Sequence, residues 1–216
     1  LQATAATFAS VVTTLQAGDT LQLRGGTYQA IGLSSFTIPA SLSGTPSNYI
    51  TIENYPGEEV IFTSANSPTL DWTLSSGNIW RAPLTLPASG WRPFAVWQGD
   101  RFLWRYLSLT SLQSLTFTRG NNAVTGTWTV PGGFFYDGTY LYIRTVGDDS
   151  PIGKELYISY DTVTVSDPYG ADSRLLVLAG SYLHVRSLKF RWSNEPITLS
   201  GVGNIVEQVD AYATNH

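Results

Sequence analysis

Both flanks of this chain carry one pattern: short segments in which apolar and polar residues alternate, joined by turns unlike those of hairpins. In the first flank, Thr20–Leu23 sets Leu21 and Leu23 on one face, Arg24-Gly25-Gly26 turns, and Thr27-Tyr28 resumes. Ile31 to Ile38 is a further apolar segment, and Ser43-Gly44-Thr45-Pro46-Ser47-Asn48 is a loop by composition. Tyr49 to Tyr55 then reads as a strand, Pro56-Gly57-Glu58 as a turn and Val60-Ile61-Phe62 as a strand. The second flank repeats the rhythm from Ser173, through Leu175–Leu178, Tyr182–Arg186, Leu188–Phe190, Ile197–Ser200 and Asn204–Glu207. Strands of this length cannot bury themselves alone. Turns that do not reverse them wind the chain into stacked coils, three short sheets to a coil and about 20 to 30 residues per coil.

The middle is written differently. Trp72, Trp80, Trp91, Trp97, Trp104 and Trp128 all fall between residues 66 and 170. Alternating segments at Phe94–Trp97, Leu103–Leu107, Gly126–Val130 and Tyr140–Thr145 are separated by Gly-Asp or Asp-Gly, the chemistry of antiparallel hairpins. Gln98-Gly99-Asp100-Arg101 and Tyr136-Asp137-Gly138-Thr139 are the expected turns. The expected organisation is therefore residues 1–65 as a cap and first coils, 66–172 as an antiparallel, β-sandwich-like insertion, and 173–216 as resumed coils. One stretch predicts a helix: from Thr4 to Gln16, Phe8, Val11, Val12 and Leu15 recur at helical spacing until Gly18 stops the run, with Thr4 or Thr7 to cap it. Every later signal is β.

Apolar residues make up 43% of the 216, enough for a core, whereas 13% are charged, about half the globular norm. The surface is polar through Ser, Thr, Asn, Gln, Gly and Tyr, which suits neutral hydrogen-bonding ligands. Net charge is −4 and no basic run exists, so the footprint of a nucleic-acid binder is missing. Zero cysteine excludes disulfides, thiolate zinc sites and thiol nucleophiles together. No run of about 18 apolar residues is present to span a membrane as a helix. The chain opens on Leu1 and lacks Met, so the expectation is that an upstream segment, a signal peptide, has been removed. It closes at Asn215-His216 without a capping helix or polar strand, so further polypeptide or a neighbouring chain is expected to cover that end. Seven Trp and twelve Tyr are many for so polar a chain; rings pack cores, but they also stack on sugars.

Residues 15–62 carry Ala17-Gly18-Asp19-Thr20-Leu21-Gln22-Leu23-Arg24-Gly25-Gly26-Thr27-Tyr28, then Ser43-Gly44-Thr45 and Ile50-Thr51-Ile52-Glu53-Asn54-Tyr55-Pro56-Gly57-Glu58. This resembles the opening of secreted right-handed parallel β-helix proteins, among them pectate, alginate and chondroitin lyases and several glycoside hydrolases. Gly77-Asn78-Ile79-Trp80-Arg81, Val96–Arg101, Phe135-Tyr136-Asp137 and Leu141–Arg144 resemble the β-sandwich insertion of β-helical glycoside hydrolases. Tyr182–Phe190 is similar to the strand where their solenoid resumes. The resemblance implies an all-β fold, a right-handed parallel β-helix capped by the N-terminal helix and interrupted by that insertion. It implies an extracellular or cell-surface protein that meets a polysaccharide or oligosaccharide. In the resembled enzymes the catalytic groups lie on later coils, so no residue here carries over as catalytic. This chain would supply the cap, the scaffold and a wall of a glycan groove, with Trp91, Trp97, Trp104 and Trp192 as stacking rings.

The chemistry-bearing residues themselves are sparse. Asp19 reads as a turn carboxylate accepting backbone N–H groups. Glycoside hydrolysis needs two carboxyls astride the scissile bond, and a lyase needs a base and a cation for its uronate. On the resumed coils the carboxylates are Glu195, Glu207 and Asp210 and the cations Arg186, Lys189 and Arg191, which are not all expected to share one strand face, with Lys189 expected opposite Arg191. Each is more simply a solvated charge. His184, in an apolar strand, reads as structural; His216 lacks a second ligand at a recognised spacing, and Asp148-Asp149 lacks a calcium-loop motif. No metal and no cofactor are expected. Three functions remain: the N-terminal portion of a carbohydrate-active enzyme, hydrolase or lyase; a non-catalytic surface, filament or spike module assembling through an open solenoid edge; or a glycan-binding domain.

Overall fold

The computed structural model describes residues 1–30, 35–119, 124–127, 131–161, 174–193 and 195–214, so Ile31, Trp128, Asn215 and His216 lie outside it. The described chain is all-β apart from two short helices, and it divides into two compact units, Leu1–Ala65 with Asp172–His216, and Asn66–Ala171.

The first unit is built from three sheets, each wholly parallel. The first sheet sets Gln2–Ala3, Thr20–Leu23, Ile50–Asn54, Leu183–Arg186 and Ile205–Glu207 side by side. The second holds Gly26–Gln29, Val60–Thr63, Lys189–Ser193 and Asp210–Thr214. The third holds Phe36–Ile38, Arg174–Leu178 and Glu195–Leu199. The chain visits the three in one unchanging order, so residues far apart in sequence become register partners. Leu21 pairs with Ile52, Ile52 with Val185 and Val185 with Val206. Period-two alternation sends these side chains inward and Gln22, Glu53, Arg186 and Glu207 outward.

Aromatic rings fill the middle of this unit. Tyr28, Phe62 and Phe190 are register partners on the second sheet, with ring centroids 4.9 Å and 5.4 Å apart, and Phe36 meets Phe62 edge-on at 5.2 Å. The helix spans Phe8–Val12, shorter than its apolar pattern. Ser10, Thr13 and Thr14 turn their hydroxyls back onto the carbonyls of Thr7, Ser10 and Val11, a local bonding that competes with helix propagation. Phe8, Val12 and Leu15 are nonetheless buried, and Phe8 meets Phe36 edge-on at 5.2 Å, which places the helix over one end of the core. Asp19 closes the following turn by accepting the Gln16 N–H at 2.8 Å.

The corners between the third and first sheets stack so tightly that side chains are excluded. A Cβ on Gly180 would lie 1.9 Å from the Leu42 carbonyl oxygen, and one on Gly201 1.9 Å from the Gly180 oxygen. Asn204 ties two corners together, accepting from the Leu183 N–H at 2.9 Å and donating to the Gly180 carbonyl at 3.0 Å.

In the second unit the strands run Leu156–Asp161, Arg92–Gln98, Arg101–Arg105, Gly133–Tyr136, Tyr140–Arg144, Ile79–Pro83 and Thr73–Ser76 across one sheet. All neighbours are antiparallel except Arg101–Arg105 and Gly133–Tyr136, which are parallel. Gln98 pairs with Arg101 across a turn in which Gly99 takes φ +57°. A separate ribbon joins Thr116–Arg119 to Val124–Thr127. The sequence pattern did not anticipate the helix Leu109–Ser114, which begins where Ser108 Oγ accepts the Ser111 N–H at 3.1 Å. Two apolar clusters form, one around Val96, Leu103, Phe134 and Ile158, the other around Ile79, Tyr106, Leu112 and Tyr142.

Candidate functional site

The outward positions of the first unit carry its charges, and register decides how they meet. Gln22, Glu53, Arg186 and Glu207 are consecutive partners across the first sheet. Arg186 holds Glu53 through Nη2 at 2.6 Å and Nε at 2.7 Å, and His184 Nε2 lies 2.9 Å from Glu207 Oε1. On the second sheet Lys189 pairs with Glu59 and Arg191 with Asp210 at 2.6 Å; on the third, Arg174 Nε lies 3.3 Å from Glu195 Oε2. Lys189 and Arg191 flank the buried Phe190 and therefore share a face instead of lying opposite each other, while Arg186 belongs to a different sheet, so the three do not share one face. Arg191 holds the Asp210 carboxyl below the usual carboxylate range. The strongest case is Glu58, brought to about 2 by hydrogen bonds from Arg24 and from the Gly25 N–H. Glu195 and Asp210 thus spend oxygens on arginines of the neighbouring strand, and Glu207 spends one on the His184 ring. They are built as rungs of an ionic ladder, not as a pair astride a ligand.

The four tryptophans separate by environment. Trp97 is 0% exposed, its ring edge-on to Phe102 at 5.8 Å, so it has no face to offer a sugar and acts as core. Its strand, Arg92–Gln98, is buried on both faces, a condition that alternation alone does not reveal. Trp104 is 42% exposed and leans on the same Phe102 at 5.8 Å. Trp91 is partly buried against the cluster around Val96 and Leu103. Trp192, in the first unit, is partly buried at a left-handed φ of +46°, and its carbonyl accepts from Ser64 Oγ at 2.9 Å.

The second unit contains a cleft of about 340 Å³ lined by Ser76, Gly77, Asn78, Ile79, Gln113 and Arg144. Three elements converge on it: the tight turn after Thr73–Ser76, where Gly77 takes φ +54°, the last turn of helix Leu109–Ser114, and the end of strand Tyr140–Arg144. The Arg144 side chain is only 17% exposed and fixed from three directions. Nε and Nη2 engage the Asp148 carboxylate, the latter at 2.7 Å, and Nη1 donates to the Gln113 carbonyl at 2.9 Å. Asp148 stays ionised, held below its ordinary range first by the Arg144 hydrogen bonds, with Asn78 also donating to it. Gln113 Nε2 donates to Ser76 Oγ at 2.9 Å. Close by, the buried Tyr106 hydroxyl is pushed up to about 12 by desolvation, against the opposing influence of Arg144. The adjacent carboxylate, Asp149, is occupied by Thr145 at 2.7 Å and Lys154 at 3.0 Å, so this acidic doublet is committed to internal partners. Among the described residues, no three His, Cys, Asp or Glu side chains gather as metal ligands. The sequence reading did not assemble this cleft, because Ser76, Gln113 and Arg144 are brought together by the sheet and by a helix it missed.

No family model matches the sequence, and no curated relative does. Among solved structures, the chain is similar to one described as the complex of XylC with xylose, with a TM-score of 0.52 and 14% identity over 86% of this chain and 32% of that one. A second, described as a glycoside hydrolase, gives a TM-score of 0.42 at 12% identity, covering 88% of this chain and 45% of that one. The first likeness is one of fold; the second is too distant to carry an argument. This chain spans 32% and 45% of the lengths of the two structures it resembles.

Proposed function

We propose that this chain is the N-terminal portion of an exported carbohydrate-active enzyme, of glycoside-hydrolase or polysaccharide-lyase type, built as a right-handed parallel β-helix with a capping helix and an inserted β-sandwich. Three parallel sheets visited in constant order support the coiled architecture. The observation that carries the carbohydrate reading is the fold shared, over 86% of this chain, with a protein whose structure holds xylose. The neutral, hydrogen-bonding surface and the polar cleft at Arg144 are consistent with it. The role assigned to these residues is scaffold and groove wall, with Trp104 the most exposed of the four tryptophans and Trp91 and Trp192 partly buried. Catalysis is assigned elsewhere, because Glu195 and Asp210 are paired with arginines and Glu207 is bonded to the His184 ring. The test is release of reducing ends or unsaturated uronates from neutral and acidic polysaccharides by the complete native protein. Silence across the panel, with folding verified, removes the enzyme reading.

A second reading has its own observation. Leu199, Val202, Ile205 and Tyr212 are exposed large apolar residues, all on the strands and turn that form one edge of the three parallel sheets. This edge suits further polypeptide or a neighbouring chain, as in a surface or filament module. Light scattering decides: a monomer that persists at high concentration counts against self-assembly, and longitudinal assembly supports it.

A further inference from the structure

We infer that the cleft between the Ser76–Ile79 turn and Arg144 is a recognition subsite for one neutral sugar ring; the inference rests on the carbohydrate reading above and adds a place and a ligand class to it. A guanidinium has five N–H donors in one plane. Arg144 commits three of its nitrogens' hydrogens, two to Asp148 and one to the Gln113 carbonyl. Two donors remain on Nη1 and Nη2, held rigid by the others, and a rigid pair of donors matches two adjacent hydroxyl oxygens. Ser76 Oγ accepts from Gln113 Nε2 and so keeps its own proton to donate, while Gln113 Oε1 remains as an acceptor at the same wall. Sugar hydroxyls both donate and accept, and this lining offers both roles. The cleft's 340 Å³ sits at the small end of ligand sites, which begin at about 300 Å³.

Charge sets the class. Arg144 and Asp148 neutralise each other within the wall, so the cleft offers an anion no net attraction. A uronate carboxylate seated on Arg144 would also lie beside the Asp148 carboxylate, a like-charge contact that disfavours binding. Nor is the cleft a reaction centre. Among the described residues its lining carries no carboxyl group, and Asp148 beside it is engaged by Arg144, so no glycosidase pair of carboxyls is built here.

The test is saturation-transfer NMR titration of the whole protein with D-xylose, D-glucose and D-glucuronate, repeated on Arg144→Lys, Gln113→Ala and Ser76→Ala. Gln113→Ala keeps the backbone carbonyl that anchors Arg144, so it probes the side chain without breaking the ion pair. The expected result is millimolar-range binding of the neutral sugars, weakened about tenfold or more in Arg144→Lys and about three- to tenfold in Gln113→Ala and in Ser76→Ala, in line with lost hydrogen bonds. Preference for glucuronate, or neutral-sugar affinity unchanged in all three variants, overturns the inference. Polysaccharide binding or turnover that survives in these variants removes this subsite alone. A folded protein that engages no glycan removes the subsite and the carbohydrate reading together.

Discussion

Replacing Phe62 by Ala tests whether the parallel strands share one core. Phe62 is fully buried, and its ring meets three others, Tyr28 at 4.9 Å, Phe36 at 5.2 Å and Phe190 at 5.4 Å. Tyr28 and Phe190 come from the strands on either side of it, one from each flank of the sequence. The change removes the transfer energy of a ring and leaves a cavity that hydrogen-bonded sheets cannot close, which costs about 3–5 kcal/mol. For a cooperative unit of this size each kcal/mol lowers Tm by about 2–4 °C, so the expected fall is roughly 6–20 °C. Phe62→Leu keeps most of the volume and loses the ring contacts, worth about 0.5–1.5 kcal/mol each and not additive, so its loss is smaller. Urea titration followed by far-UV circular dichroism, with the m-value checked for constancy, reads both changes. A loss of about 0.5 kcal/mol for Phe62→Ala, as at an ordinary surface site, would refute a shared aromatic column.

Gly201→Ala should destabilise severely, because its Cβ would sit 1.9 Å from the Gly180 oxygen and backbone must move to admit it; an unchanged urea midpoint contradicts this corner geometry. Glu58 should titrate at about 2 by carbon-detected NMR and rise toward 4.5 in Arg24→Ala. Its folded value is depressed, so its contribution to stability is present above pH 4.5 and disappears as pH falls toward 2; equal titration in both proteins refutes the pairing. Tyr28, Tyr106 and Tyr160 should ionise near 12 in a spectrophotometric titration, raised from 10 by burial. Their raised values stabilise the fold fully below pH 10, with the contribution lost as pH climbs toward 12, and tyrosinate signal appearing entirely around pH 10 would contradict the burial.

Much of the strand content was legible from alternation, because a strand with one buried face shows that face in its sequence. Tyr49–Tyr55 was read as a strand and Ile50–Asn54 forms one; Val60-Ile61-Phe62 was read and Val60–Thr63 forms. Alternation cannot say which strands become neighbours, so the pairing of Glu53 with Arg186 and of Arg191 with Asp210 was invisible, and carboxylates that are paired read as solvated charges. Lys189 and Arg191 lie on one side of their strand because the buried Phe190 between them takes the other. Trp97 misled for another reason: its strand is covered on both faces, so position in the pattern did not distinguish an outward ring from a buried one. Helix Leu109–Ser114 is too short to show periodicity, and its one signal, Ser108 at the N-cap, is common in loops. Without that helix Gln113 had no place beside Arg144, and the cleft could not be foreseen.

The most direct test is a residue-resolved map of which amides respond to sugar. Amide chemical shifts, followed while a neutral xylose oligomer is added, should move together at Ser76–Ile79, Gln113 and Arg144, with the Trp104 indole responding if the ring joins the groove. Shifts confined to other surfaces, or a spectrum indifferent to every neutral glycan, would contradict a sugar-recognising wall built into this fold.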